Sequence, residues 1–361
     1  MIDRRLLENF DFILFFTMII LCLLGIIFIE SATNALEINY AKKQLLYFLL
    51  GLVGLVIATT FNYSKIARHT IAIYVVSVLL LIVVLLVGKG VGGAKRWLSL
   101  GIVNFQPSEL FKITYILMIA YYLDKTGKRI SSFKVLIYAF LIVVLPILLI
   151  IIQPDLGTAI SLIFVIFTII FVSEGSVRNM LIVIGISLAS CPFLWKFLKA
   201  YQKKRLLVFI NPNVDPLGSG YAIIQSKIAV GVGGLFGCGW KQGYQTRLNF
   251  IPEHYTDFIF STVAEEWGFI GACVLLLLYS VLFWRMFSIA TLIRDKLGLL
   301  IIVGIISLFA VHIFVNIGMA IGIMPITGLT LPFLSYGGSS LIVNMFLVGL
   351  VLNIGMRRFK I

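Results

Sequence analysis

Ten apolar runs, near 10–30, 44–61, 70–87, 109–123, 134–152, 156–173, 180–198, 258–284, 298–323 and 340–355, constrain this chain more than any other feature of its sequence. A helix needs about 20 residues to cross the hydrocarbon core of a bilayer. Backbone inside that core must bond to itself, so runs of this kind fold as spanning helices. The fourth run is short, and Pro146 is expected to kink the fifth. The first run follows the basic residues Arg4 and Arg5 but is too long for a signal-peptide core. Composition agrees, with 61% hydrophobic residues, 12% charged residues and a mean hydropathy of +1.09. The prediction is an all-α polytopic membrane protein: one membrane domain over 1–361, with about ten transmembrane helices and no internal repeat.

The net charge of +14 would suggest nucleic acid in a soluble chain. In a membrane chain Lys and Arg hold loops against anionic lipid, so the expected contact is membrane lipid and not nucleic acid. With ten spans, Lys65, Arg68, the loop 124–134, Arg178, the loop 285–296 and the segment 356–360 share a side with Arg4 and Arg5. That side is cytoplasmic by the positive-inside rule, and it carries both termini. The other side holds the loop 88–112 and a large extracytoplasmic loop, 199–256. It also holds "QPDLGTA" (153–159) and "MPITGLTLPFLSYGGSS" (324–340). The last is rich in Pro and Gly yet apolar, as suits irregular backbone lining a cavity at membrane depth. Within the large loop, 195–212 reads as a basic amphipathic surface helix, and 218–240 as a second interfacial helix followed by tight turns.

Four polar segments thus converge on one face, and the candidates for chemistry lie in or beside them. Lys95, Arg96 and Trp97 read either as an interfacial anchor or as a phosphate site with an aromatic wall. Ser108 reads as a helix N-cap after Pro107. Glu109 and Lys112 fall three apart on one helical face at the mouth of a span, where ionisable groups are functional candidates. Asp155 opens a helix and would cap it. In "NFIPEHYTDFIFSTVAEEWGFIG" (249–271), Asp257 stands one residue before an apolar run, with Glu265 and Glu266 two turns inside it. A carboxylate half-desolvated there suits a general base. His312 and Asn316 read as hydrogen-bonded core groups. Cys22, Cys191, Cys238 and Cys273 form no CxxC pair, against a metal cluster or a disulfide framework.

Together the stretches "GAKRWLSLGIVNFQPSELFK", "QPDLGTA", "DPLGSGYAIIQSKIAVGVGGLFGCGW", "FIPEHYTDFIFSTVAEEWGFIG" and "GIMPITGLTLPFLSYGGSSL" resemble the SEDS (shape, elongation, division and sporulation) family over essentially the whole chain. "GYAIIQSKIAVGVGG" and "QTRLNFIPE" look like its elongation branch, the RodA type, rather than the division branch, the FtsW type. The resemblance implies a ten-helix glycosyltransferase of the bacterial cytoplasmic membrane. Such enzymes polymerise lipid II, an undecaprenyl-pyrophosphate disaccharide-peptide, into peptidoglycan on the outer face. It also implies a class B penicillin-binding protein as partner, alongside other elongation-machinery proteins. Asp257 then matches the family's catalytic Asp, with Trp97, Glu109, Lys112 and Asp155 in or near the same cavity. The family usually has His directly before Thr-Asp, where this chain has Tyr255, with His254 one position earlier.

The chemistry fits the residues. A pyrophosphate is already a good leaving group, so no second, protonating carboxylate is demanded, unlike in a glycosidase. One base (Asp257) and cations (Lys95, Arg96, Lys112) suffice, with Glu109 orienting Lys112. A divalent cation, Mg or Mn, could share the pyrophosphate near Asp155; no cofactor is otherwise expected. The rival readings are a lipid II flippase, a division-type polymerase and a bare scaffold for the elongation machinery. Against a flippase, the polar residues crowd one face and not the midplane.

Overall fold

The computed structural model describes residues 8–34, 38–91, 94–100, 103–127, 132–173, 200–211, 214–216 and 218–358, with isolated positions at 178, 179, 181, 182, 185 and 196. In chain order the elements are α1 (Phe12–Ala32), α2 (Tyr40–Thr60), α3 (Tyr63–Arg68), α4 (Thr70–Val87), β1 (Lys89–Val91), β2 (Ala94–Leu100), β3 (Val103–Phe105) and α5 (Pro107–Thr126). Then come α6 (Phe133–Ile152), α7 (Leu156–Val172), α8 (Ala200–Ile210), α9 (Ser219–Gly233), α10 (Tyr244–Arg247), α11 (Ile259–Leu292), α12 (Lys296–Ala320) and α13 (Gly338–Met356).

Among the described residues seven helices are long and apolar enough to cross a membrane: α1, α2, α4, α6, α11, α12 and α13. α7 is equally apolar but shorter. α5 carries Glu109 and Lys112, both buried, so protein and not lipid surrounds them; Asp124 is half-buried and Lys125 exposed near its C-terminal end. The run expected at 180–198 lies outside the described residues except for isolated positions, and Arg4, Arg5 and Cys191 lie outside them too. Helix starts follow local chemistry: Asp11, Asn39, Asn62, Asp155 and Asp295 each accept a backbone N–H at the first turn of α1, α2, α3, α7 and α12.

Burial separates centre from rim. The most apolar window of α13 is 89% buried and that of α12 is 72% buried, against 28% for α4. α12 and α13 therefore form the core, while Leu79, Leu86, Leu141 and Leu145 of α4 and α6 face outward, as lipid-facing side chains do.

Two features depart from the sequence reading. Residues 89–91, 94–100 and 103–105 form a three-stranded antiparallel ribbon, β1-β2-β3, the other elements among the described residues being helices. α6 also runs on through Pro146 as one element; the interruption falls in α11 at Gly268 (φ 65°, ψ −160°). There the glycine-rich turn after α9 plugs into the gap. Cys238 and Gly239 donate to the carbonyls of Glu265 and Glu266, at 2.9 and 3.0 Å, while Phe269 and Ile270 donate to Gly234 and Leu235, at 2.8 and 3.1 Å. The broken helix thus regains its backbone partners from a neighbouring turn. A Cβ on Gly268 would lie 2.3 Å from the Gly237 nitrogen, and one on Gly237 would lie 2.1 Å from the Glu266 oxygen, so glycine is required on both sides of the joint.

One end of the bundle is closed by polar contacts. Arg285 pairs with Asp11 at 2.6 Å, Tyr63 donates to Asp295 at 2.8 Å, and Arg357 donates to the Thr60 carbonyl at 2.9 Å. The other end opens into a cavity.

Candidate active site

That cavity has a volume of about 570 Å³ and takes residues from all four segments that the sequence singles out: 88–112, 153–159, 199–256 and 324–340. Asp257, Arg96, Trp97, Glu109 and Asp155 line it together. Lys112 does not. It is fully buried behind Glu109, with Nζ 2.7 Å from Oε2, an electrostatic contact rather than an aligned hydrogen bond. Lys95 belongs to β2, but its side chain lies outside the described residues.

Asp257 sits in a tight turn. Glu253 adopts φ 53°, and its carbonyl receives the N–H groups of Thr256, Asp257 and Phe258. The carbonyls of residues 255, 256 and 257 are each held from elsewhere. Tyr336 N–H donates to Tyr255 at 2.9 Å, Ser335 Oγ to Thr256 at 2.6 Å, and Asn316 Nδ2 to Asp257 at 2.8 Å. Asn316 also donates to the Leu329 carbonyl at 2.7 Å, and Gln44 bonds both the Ser335 carbonyl and the Gly337 N–H. Such support fixes the main chain of Asp257 at the cavity wall. Asp257 does not cap α11, whose N-cap is Phe258 with no side-chain bond. Its Oδ2 faces Gly328, where a Cβ would stand 3.5 Å away. As expected of a cavity lining, 321–337 is irregular and contributes Thr327, Gly328, Leu329, Thr330 and Tyr336.

The neighbouring candidates divide by task. Asp155 caps α7 by accepting from Thr158 N–H at 3.3 Å, and it also accepts from Gln106 at 3.4 Å. Ser108 is not a cap: α5 begins after Gln106 with Pro107 at its first position, which supplies the fixed φ instead. The Ser108 hydroxyl accepts from Gln106 at 3.0 Å. Arg96 donates from Nε to the Gln153 carbonyl at 2.8 Å and from a terminal nitrogen to the Pro154 carbonyl, so it joins the ribbon to the start of α7. Glu265 is structural, taking Gln245 N–H at 2.7 Å, Thr246 N–H at 3.1 Å and Thr246 Oγ1 at 2.7 Å at the start of α10. Glu266 accepts from Ser31. His254 is buried and ties its turn to α1, with its nitrogens 2.8 Å from the Ile251 and Ala32 carbonyls.

Sequence reasoning missed Tyr40, Lys43, Tyr47, Glu253, Tyr255 and Tyr336 as lining groups; His312 is the buried, hydrogen-bonded group expected, 3.1 Å from the Thr330 carbonyl, and also borders the cavity. A signal existed for the first three: "YAKKQLLY" places Tyr40, Lys43 and Tyr47 on one helical face at the start of an apolar run. Burial pushes the Tyr255 and Tyr336 phenols upward, and hydrogen bonds to Tyr40 and Tyr47 add to it. Among the described residues no three His, Cys, Asp or Glu groups come together to hold a metal ion. The donor set does not fit a protein-only metal cage, and no step below passes through one.

The profile of the FtsW/RodA/SpoVE family, described as cell cycle protein, matches residues 11–360. The chain is 38% identical over 360 residues to the probable peptidoglycan glycosyltransferase FtsW of Trichlorobacter lovleyi, covering 96% of this chain and 93% of that one. It is 40% identical over 323 residues to the peptidoglycan glycosyltransferase MrdB of Escherichia coli, covering 89% and 87%. Among solved structures, a chain from work on structural coordination of polymerization and crosslinking by a peptidoglycan synthase complex superposes with a TM-score of 0.86 at 32% identity, covering 98% of this chain and 99% of that one. The rod shape determining protein RodA of Thermus thermophilus superposes at 0.71 with 31% identity, covering 98% of each chain. Relatives named FtsW and relatives named RodA or MrdB match alike, so likeness does not separate the two branches. A profile match from end to end, relatives above 30% identity over most of their length and a shared fold together make this chain a member of the FtsW/RodA/SpoVE (SEDS) family.

Proposed function

We propose that this protein is a peptidoglycan glycosyltransferase that joins lipid II units into glycan strands, with Asp257 as general base. One observation carries the reading: Asp257, held by its backbone from α12 and the 321–337 segment, lines a cavity that also presents Arg96. The Asp257 carboxylate takes the proton of an acceptor sugar hydroxyl, and the oxygen attacks the anomeric carbon of the donor. The bond from that carbon to the pyrophosphate oxygen breaks, and the electron pair leaves with undecaprenyl pyrophosphate. Arg96 keeps N–H groups beyond its two carbonyl contacts for that anion, with Lys95 beside it in sequence. Lys112 acts through Glu109, neutralising it and holding it at the cavity wall. Trp97 and Asp155 complete the donor side.

The elongation-type assignment rests on "GYAIIQSKIAVGVGG" and "QTRLNFIPE". It carries with it a class B penicillin-binding protein as partner and a cavity on the outer face of the cytoplasmic membrane. Reporters fused after Gly218 and at Lys128 then read as extracytoplasmic and cytoplasmic; the reverse pattern overturns the orientation. The decisive experiment is polymerisation of labelled lipid II by the purified protein with its partner. Asp257→Asn should fold and bind the partner but lose about a hundred- to ten-thousand-fold in rate, the usual cost of a missing general base. Near-normal polymerisation by that variant removes Asp257 from the chemistry and puts Glu109 and Asp155 next. Movement of lipid II across vesicles without polymerisation would favour a flippase.

A further inference from the structure

The cavity holds four tyrosines that the mechanism above leaves without a task. Tyr40 and Tyr47 come from α2, Tyr255 from the turn before Asp257, and Tyr336 from the irregular segment. Their rings form one continuous cluster. Centroids lie 4.7 Å apart for Tyr40–Tyr255, 5.0 Å for Tyr40–Tyr336, 5.8 Å for Tyr255–Tyr336 and 6.4 Å for Tyr47–Tyr336. Lys43 sits with its ammonium 5.8 Å from the Tyr40 ring centre, also in the lining.

A surface meant for a lipid tail is made of Leu, Ile and Phe. A surface of phenols is different, because each ring offers a flat apolar face and a hydroxyl at its edge. That combination matches a sugar, whose ring has C–H faces and hydroxyl rims. Packing alone does not explain the cluster: Tyr40, Tyr255 and Tyr336 are only partly buried and keep surface toward the cavity. Gln44 already ties α2 to the 335–337 backbone without them.

Position decides which sugar. A base works only within hydrogen-bond reach of the proton it takes, so the acceptor ring must lie against Asp257. Tyr255 is two residues from Asp257, the Tyr255 carbonyl accepts from the Tyr336 N–H, which ties the two segments together, and both tyrosines line the same cavity as Asp257. The pyrophosphate of the donor belongs with Arg96, which comes from the ribbon and not from these elements. We infer that Tyr40, Tyr47, Tyr255 and Tyr336, with Lys43 at their edge, form the subsite for the acceptor, an N-acetylated disaccharide whose peptide carboxylates meet the Lys43 ammonium. This rests on the glycosyltransferase reading and adds where the acceptor lies. It also gives Tyr255 a task in the place where the family usually carries His.

The test is binding of a soluble probe, the disaccharide-pentapeptide without lipid or pyrophosphate, to the full-length protein in detergent, followed by saturation-transfer NMR. Wild type should bind it, and Tyr255→Ala and Tyr336→Ala should each weaken binding about tenfold, the scale of a lost aromatic contact. Tyr255→Phe and Tyr336→Phe keep the rings and should weaken it about threefold, through the hydroxyls alone. Melting midpoints identify any Ala variant that fails to fold, and the Phe pair then decides. Unchanged probe binding in folded variants overturns the subsite, while lipid II polymerisation by the wild type leaves the glycosyltransferase reading standing. Probe binding that depends on the tyrosines in a protein that polymerises nothing leaves a carbohydrate site and removes the enzyme.

Discussion

Asn316 offers a test of how the turn at 253–258 is held. Its side chain is fully buried in α12, and one amide nitrogen serves two carbonyls, those of Asp257 at 2.8 Å and Leu329 at 2.7 Å. Asn316→Leu keeps the branching at Cγ and deletes both donated bonds. Each buried carbonyl stripped of its partner costs about 1–3 kcal/mol, so the native arrangement loses about 2–6 kcal/mol. The loss falls on the two segments that carry Asp257 and Gly328, so it appears first as misplacement of the carboxylate. At 1.36 kcal/mol per decade, even the lower figure corresponds to about thirtyfold in rate. The assay is lipid II polymerisation well below the melting midpoint of the variant, with the midpoint measured alongside. Asn316→Asp should do no better, since it turns a carboxylate oxygen toward two carbonyls. If Asn316→Leu polymerises within about twofold of wild type with its midpoint unchanged, the carbonyl bridge does not position Asp257.

Glu109→Gln strands the Lys112 ammonium in a fully buried place and should destabilise the protein by about 3–5 kcal/mol in thermal melts. Adding Lys112→Met should recover most of that stability; a double variant no more stable than the single one would contradict the pairing. Glu265→Gln should lower the melting midpoint through the start of α10, by about 0.5–2 kcal/mol, and cost less polymerisation than Asp257→Asn. The raised Tyr255 and Tyr336 phenols bind their protons more tightly in the fold than in the unfolded chain. Their contribution to stability is thus full below the ordinary tyrosine value of 10.0 and is lost as pH rises above it. Melts should show no tyrosine-linked decline between about pH 6 and 9, where ordinary tyrosine stays protonated. Loss of stability there in wild type, absent from Tyr255→Phe, would refute the shift.

Legibility differed by element. Nine of the ten expected runs appear as helices among the described residues, because apolar length alone forces helical pairing in lipid. The ribbon at 89–105 was not legible: its strands are three, seven and three residues long, too short for alternation to stand out. Pro146 looked like the place where a helix gives way. The break instead sits at Gly268, where a second turn, 234–239, lies close enough to take over the freed backbone groups.

The site divides along the same line. The sequence by itself determined that polar residues in four separate segments meet at one end of a helical bundle, because the helices alternate direction and each segment joins a pair of ends. It also determined that Asp257 stands at a helix mouth and that Glu109 and Lys112 share a face, since those are matters of spacing along one helix. Only the tertiary structure decided which groups reach the cavity. Lys112 points away behind Glu109, Arg96 bonds to the carbonyls of residues 153 and 154, Glu265 caps a short helix, and His254 braces a turn. Tyrosines from three separate segments became one surface in the cavity that Asp257 lines. Those outcomes depend on contacts between residues up to about three hundred positions apart, such as Gln44 with Ser335, and periodicity along a chain carries no information about partners at that range.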